Sequence, residues 1–255
     1  MNNKLYGEFA SYYAAVTQDR DFSSQIKCII DDYPKKYRCR NLLELFAGNA
    51  LHSIAAEKMG VDVWAIDSSN EMKDLAMKGG FHKYNQYIVG ELPKTLLAMN
   101  GRIKFDCIIC LFHGLSNLSK LAVYNLFINI KNLLSLNGKI FIEIHDIKNI
   151  MNYINQPTIV WNEISDVYGS KIKYAWPSGK IIWSHKSFYA EVPVKIVVDS
   201  EQGDVIYEFI SKEYIHCYED IAFLARLLGF KFKLLTSLSN WKSNFNMSVV
   251  LELYI

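Results

Sequence analysis

The residues of this 255-residue chain best placed to do chemistry stand at the ends of apolar runs. Leu42-Leu43-Glu44-Leu45-Phe46-Ala47-Gly48-Asn49-Ala50 closes an apolar strand on a turn of small residues. Gly48 permits a sharp bend and close approach of a ligand, and the helix from Leu51 points its free N–H groups at the same place. A second apolar run from Val61 ends on Asp67, whose carboxylate can accept from both hydroxyls of a ribose. Together these runs describe a nucleoside-binding half-fold, although Asp67 reads equally as the N-cap of a helix over Asn70 to Met77. Phe46, Ala47 and Ala50 break the three-glycine dinucleotide fingerprint, so a pyrophosphate cradle is not expected.

Two histidines follow later apolar runs. His113 comes after Phe105 to Leu111, and His145-Asp146 after Lys139 to Ile144. Open α/β sheets bind ligands at the carboxyl ends of parallel strands, and an imidazole there can accept a proton near neutral pH. The competing readings are a loop residue bonded to backbone for His113, and a helix cap shared with Asp146 for His145. His52 reads as packing or capping, and His82, His185 and His216 carry no local support. No two histidines share ligand spacing with a third partner, so no metal site is expected. Cys107 and Cys110 have CxxC spacing but lie inside an apolar run and read as core thiols; five irregularly spaced cysteines make no disulfide framework.

A sheet must position these groups. Strands are predicted over Asn41 to Phe46, Val61 to Ile66, Tyr84 to Val89, Phe105 to Leu111 and Lys139 to Ile144, with helices over Leu51 to Met59, Asn70 to Met77 and Ser119 to Leu136. Asn137-Gly138 then punctuates the last helix. Such alternation implies a mostly parallel sheet covered on both faces. Before it, two helices are expected: one through Tyr6, Phe9, Tyr13 and Val16, and one over Ser24 to Tyr33. After His145 the pattern becomes antiparallel, with strands over Lys171 to Tyr174, Ile181 to Tyr189, Val192 to Val198 and Val205 to Ile210, and a hairpin turn at Gln202-Gly203. A helix over Tyr218 to Leu228 and strands over Phe230 to Leu235 and Met247 to Tyr254 complete the order. The inserted strands carry Tyr174, Trp176, Trp183, Phe188 and Tyr189, which either wall a substrate pocket, fill the sheet core or cover a dimer surface.

Composition bounds the partners. The chain is 51% hydrophobic, enough for one large α/β core. Its 28 basic and 26 acidic residues leave a formal charge of +2, too little to argue for nucleic acid or an anionic membrane. No apolar stretch is long enough to span a bilayer and no leader is evident, so a cytoplasmic protein is expected.

The full order resembles the class I S-adenosylmethionine-dependent methyltransferases, from Tyr6 to the last strand. Their acidic, glycine-rich first motif matches Glu44 to Ala50; their second-strand acid matches Asp67; their Gly-Asp-apolar motif matches Gly90-Glu91-Leu92. Their fourth motif matches Phe105-Asp106 through Leu111-Phe112, and their fifth Leu136-Asn137-Gly138-Lys139. The resemblance implies S-adenosylmethionine as cofactor. It also implies that Glu44 supports the turn, that Phe46, Ala47 and Gly48 line the methionine portion, and that Asp67 with Ser68 holds the ribose. Met72 would pack on the adenine, Glu91 and Leu92 would meet its polar edge, and the backbone of Cys110 and Leu111 would meet the methionine amino group. Phe46 and Ala50 depart from the family, which usually has glycine there.

Tyr6-Gly7-Glu8-Phe9-Ala10-Ser11-Tyr12-Tyr13 and Cys110 to Leu118, with strands inserted after the fifth, are similar to small-molecule N-methyltransferases, including those acting on amino sugars. In that branch Tyr13 would contact the cofactor. Asn117 occupies a position that is a catalytic histidine in some members, leaving His113 and His145 as the other catalytic candidates. The implied architecture is a Rossmann-like seven-stranded sheet over 40–150 and 218–255, an N-terminal helical flap over 1–39, and an antiparallel β insertion over 151–217 serving as substrate cap or dimer surface. Methyl transfer to an amine is the expected function. The alternatives are an RNA or protein methyltransferase, which lacks support from any basic stripe or Asn-Pro-Pro-aromatic motif, and a cyclase or binding module on the same fold.

Overall fold

The structure is a computed structural model that describes every residue except 1, 19, 35, 166–168 and 200–202, and omits the side chains of residues 2 and 3. In chain order the elements are helices α1 (Asn2–Tyr6), α2 (Ala10–Val16) and α3 (Phe22–Asp31), strand β1 (Asn41–Leu45), α4 (Leu51–Lys58), β2 (Asp62–Asp67), α5 (Asn70–Lys78), β3 (Tyr87–Val89), β4 (Phe105–Cys110), α6 (Lys120–Lys131) and β5 (Leu134–His145). There follow α7 (Ile147–Asn155), β6 (Trp161–Ser165), β7 (Lys171–Ala175), β8 (Ile182–Ser184), β9 (Tyr189–Val198), β10 (Val205–Tyr214), α8 (Tyr218–Leu227), β11 (Lys231–Leu234), α9 (Ser239–Asn244) and β12 (Ser248–Tyr254). They form two compact units: Met1–Arg20 with Ile147–Ile215, and Asp21–Asp146 with His216–Ile255.

The larger unit is a seven-stranded sheet in the order β11-β12-β5-β4-β1-β2-β3. β1 pairs parallel with β2 and β4, β4 with β5, and β2 with β3, whereas β12 is antiparallel to β5 and β11. The Rossmann-like, mostly parallel sheet expected from the sequence is therefore present. Side chains alternate across β1: Leu42 joins a cluster with Ile26, Ile29, Ile54 and Trp241 on one face. Leu43 and Leu45 join Leu126, Phe127, Ile130 and Ile221 on the other. The order doubles back at β1, whose neighbours are β2 on one side and β4 on the other. The carboxyl ends of β1 and β4 thus flank the crevice that open α/β sheets use for ligands.

Side chains start the helices. Asp21 accepts the Ser24 amide at 2.9 Å to open α3, and Ser69 accepts the Met72 amide at 3.0 Å to open α5. Asp67 is accordingly not the cap of α5. The helix predicted to reach Leu136 stops at Lys131, and Leu134 already pairs with Phe105. Asn137-Gly138 therefore lies within β5, next to an irregularity in the β4–β5 register, rather than ending a helix. Helix α3, grouped by sequence with an N-terminal flap, buries Ile26 and Ile29 in the larger unit.

The smaller unit is an antiparallel sheet in the order β10-β9-β7-β6, with β8 also on β9. Burial alternates strictly along β9, and Val194, Ile196 and Val198 meet Ile172 of β7 together with Leu5, Ala15 and Val16 of the N-terminal helices. The run predicted as one strand from Ile181 to Tyr189 divides, because a turn separates β8 from β9. Gln202 of the predicted hairpin turn lies outside the described residues. Tyr174 and Trp176 pack on this core, Trp183 meets Phe188 edge-on at 5.5 Å, and Tyr189 meets Tyr214 at 5.1 Å. Among the described residues no helix is long and apolar enough to cross a membrane.

Candidate active site

The turn after β1 is built from three left-handed residues, Phe46 (φ 55°), Gly48 (φ 52°) and Ala50 (φ 56°). For the two that carry side chains this conformation costs roughly 1–2 kcal/mol each, so the surroundings must hold it. Ala47 N–H donates to Ile66 O at 3.0 Å, Gly48 N–H to Asp67 Oδ2 at 2.9 Å, and the buried Tyr87 hydroxyl to Gly48 O at 2.5 Å. Nothing lies within 4 Å of where a Gly48 Cβ would stand, so the space above the turn is open.

Below the turn Glu44 caps α4 from the neighbouring strand. One carboxylate oxygen accepts the Ser53 amide at 2.9 Å and its hydroxyl at 2.5 Å; the other meets His52 Nδ1 at 3.1 Å. The Ser53 amide belongs to the first helical turn, which no intrahelical carbonyl can satisfy. His52 Nε2 lies 2.9 Å from Gln25 Oε1, and Gln25 Nε2 donates to Asn244 O. Both His52 nitrogens thus face side-chain oxygens, one of Glu44 and one of Gln25. His52, expected to pack or cap, is buried with its ring edge-on to Phe22 at 4.9 Å, and it also links α3 to the turn.

Asp67 closes β2. Its second oxygen accepts the Ser69 amide at 3.0 Å. Burial pushes its carboxyl above the usual 3.8, opposed by the amides of Gly48 and Ser69. Each oxygen takes one of these N–H groups, and the Ser68 amide adds to the same lowering effect. Ser68 beside it is exposed, whereas Met72 is 1% exposed. After β3, Glu91 is exposed and Leu92 is half-buried against the core. Cys110 and Leu111 end β4 and are buried, and burial followed by the nearby Glu143 raises the Cys110 thiol.

Beyond Leu111 the chain turns through Phe112 (φ 53°) and His113 (φ 56°). The His113 and His145 rings stack with centroids 3.7 Å apart and planes 12° from parallel. Asn117 is exposed in the short helix Gly114–Asn117, its side-chain amide donating to Gly114 O at 3.1 Å. His216 is buried, and its Nε2 lies 3.1 and 2.9 Å from the carbonyls of Leu115 and Leu118. Burial lowers its pKa, so the neutral ring donates and pins this helix.

In the larger unit the structure gathers Glu44, Phe46, Ala47, Gly48, Asp67, Cys110, Leu111, His113 and His145 at the carboxyl ends of β1, β2, β4 and β5. Tyr13 belongs to the smaller unit, where it packs edge-on to Tyr6 at 4.7 Å. Sequence reasoning missed Tyr87, Glu143, Ser248 and His216. Tyr87 and Ser248 left no local signal, since their partners lie 39 and 135 positions away. Among the described residues no three His, Cys, Asp or Glu side chains are gathered as metal donors would be.

No protein-family model matches the chain, and no curated protein sequence does. Solved structures do. The chain is similar to an S-adenosylmethionine-dependent methyltransferase from Clostridium acetobutylicum ATCC 824, 15% identical over 97% of this chain and 98% of that one, with a TM-score of 0.73. It is similar to the sugar N-methyltransferase KedS8 from Streptoalloteichus sp ATCC 53650, 11% identical over 92% and 88%, with a TM-score of 0.71. It is also similar to CalS10, an amino pentose methyltransferase from Micromonospora echinaspora, 10% identical over 92% of both, with a TM-score of 0.69. The fold is that of the class I S-adenosylmethionine-dependent methyltransferases.

Proposed function

We propose that the chain is an S-adenosylmethionine-dependent methyltransferase that acts in the cytoplasm on a small molecule, at an amine nitrogen. The observation that carries this reading is the Gly48–Asp67 pair: an open left-handed turn locked to a carboxylate at the end of the next strand. The residues present fit the cofactor. Asp67 and Ser68 would hold the ribose hydroxyls, the turn from Phe46 to Gly48 the methionine portion, the backbone of Cys110 and Leu111 its amino group, Glu91 and Leu92 the adenine edge, and Met72 its face. S-adenosylmethionine supplies a methyl group made electrophilic by its sulfonium.

The protein's own part is alignment, exclusion of water and custody of a proton. An amine must reach the site with its lone pair free, and at neutral pH it arrives as an ammonium. His113 and His145, at the carboxyl ends of adjacent strands, are the groups available to take that proton. Likeness to enzymes described as sugar and amino pentose methyltransferases supports an amino sugar as acceptor class.

Calorimetry with S-adenosylmethionine and S-adenosylhomocysteine, followed by transfer of a labelled methyl to a panel of glucosamine, galactosamine and 3-amino-3-deoxyglucose, tests the reading. Binding with formation of S-adenosylhomocysteine and a labelled amine is expected. Tight binding without turnover on these or any other small molecule would favour a binding module, and salt-sensitive methylation of RNA would favour a macromolecular substrate.

A further inference from the structure

The two left-handed residues after β4 need a cause. Glu143, whose side chain is 0% exposed, accepts the Phe112 amide at 2.7 Å through Oε2 and brings Oε1 to 3.7 Å from His113 Nε2. Ser248 on β12, paired in register with His145, sets its Oγ 3.1 Å from the same nitrogen. A strained loop, a buried carboxylate, a hydroxyl from a third strand and a second imidazole thus converge on one ring. Further titratable groups at this end are Cys110 on β4, a thiol kept neutral by burial, by Glu143 and by Glu44 of β1; Asp67 of β2; and Asp146, which follows His145.

Two positive rings stacked with centroids 3.7 Å apart would repel each other strongly. The single negative charge of Glu143 matches a single proton. We propose that Glu143 and Ser248 are positioning residues that make His113 and His145 one single-proton acceptor, which takes the proton of the substrate ammonium. In that step the ammonium N–H bond breaks, its electron pair stays on nitrogen as the nucleophilic lone pair, and the proton bonds to a ring nitrogen of the pair. The cluster passes from net negative to neutral. The proposal rests on the methyl-transfer reading above and adds to it the group that prepares the nucleophile.

Histidine ring signals followed by NMR across pH, in the unliganded full-length protein, test it. The expected result is a higher inflection sensed by both rings and a second at least about one unit lower. Glu143→Gln keeps the acceptor for the Phe112 amide but removes the charge, and should lower the higher inflection by about one unit. Ser248→Ala, the milder change, should uncouple the rings so that His113 titrates separately. With the panel amine turned over fastest, the acidic limb of kcat/KM should move with the NMR inflection in both variants. Independent titrations unaffected by Glu143→Gln, or a limb that stays put while the inflection moves, would overturn the proposal. Failure of S-adenosylmethionine to bind would instead overturn the methyl-transfer reading, and is distinguishable because the titration needs no ligand.

Discussion

The ring of Phe46 lies where a side chain on Gly114 would begin: a Cβ at Gly114 would stand 2.8 Å from Phe46 Cδ2 and 3.0 Å from its Cβ. The bulky residue in the turn after β1 is thus accommodated by a missing one in the loop after β4, across the crevice that the strand order creates. Gly114→Ala should destabilise the protein by roughly 1–3 kcal/mol, since the new methyl group would overlap the Phe46 ring and its Cβ. Phe46→Ala removes a half-buried ring and should cost a similar amount. Combined, the two should cost less than their sum by about 1 kcal/mol, measured by urea unfolding. Strict additivity would show that the ring is not what excludes the Cβ.

Asp67→Asn places an N–H donor against an amide that now finds an acceptor. S-adenosylmethionine affinity should fall about 10- to 100-fold, equivalent to roughly 1–3 kcal/mol, in calorimetry. Acidification should reproduce part of the loss. Because burial raises this carboxyl above 3.8, the folded protein takes up its proton at a pH where the unfolded chain has not. Asp67 therefore adds stability as pH falls through that window while affinity declines. Affinity that is flat from neutral pH down to the window would remove Asp67 from the ribose role.

Tyr87→Phe deletes the hydroxyl that donates to Gly48 O at 2.5 Å and leaves the buried ring in place. The carbonyl loses its donor at a cost of about 1–2 kcal/mol in thermal unfolding. Cofactor affinity should drop by several-fold, with the acceptor KM unchanged.

His216 gives a pH signature of opposite sense. Burial holds its folded pKa below the ordinary 6.5, so the unfolded chain gains a proton first. Its stabilising share is complete above 6.5 and declines as pH falls toward the lowered value. His216→Asn should be less stable at neutral pH by about 1–3 kcal/mol, with a shallower loss between pH 6.5 and the onset of acid unfolding. Parallel stability curves would mean the residue titrates no differently when folded.

The parallel sheet was legible because its strands are short, apolar and punctuated: Leu42 to Gly48 and Val61 to Asp67 carry both the strand and the turn in one stretch. The antiparallel region was harder. Trp161–Ser165 is mostly exposed on both faces, so no alternation marks it, and β8 is only three residues long. Helix α7, with Ile147, Ile150, Met151 and Ile154 at helical spacing, did carry a signal that was passed over. The predicted helix ran past Lys131 because Leu133, Leu134 and Leu136 continue its apolar content, whereas burial against Phe105 decides for strand. In the site, groups at the ends of apolar runs were readable, and Tyr87, Glu143 and Ser248, which reach it from β3, β5 and β12, were not.

The composition of the smaller unit has a consequence for how the protein is made. Leu5, Ala15 and Val16 share a core with Ile172, Val194 and Ile196, yet the whole sheet from β1 to β5 is encoded between them. On the ribosome these helices emerge before the larger sheet and wait until the strands after residue 171 have been synthesised. A segment translated before the sheet thus finds its place after it, and the nascent chain must keep that segment unaggregated while the larger sheet is still being assembled.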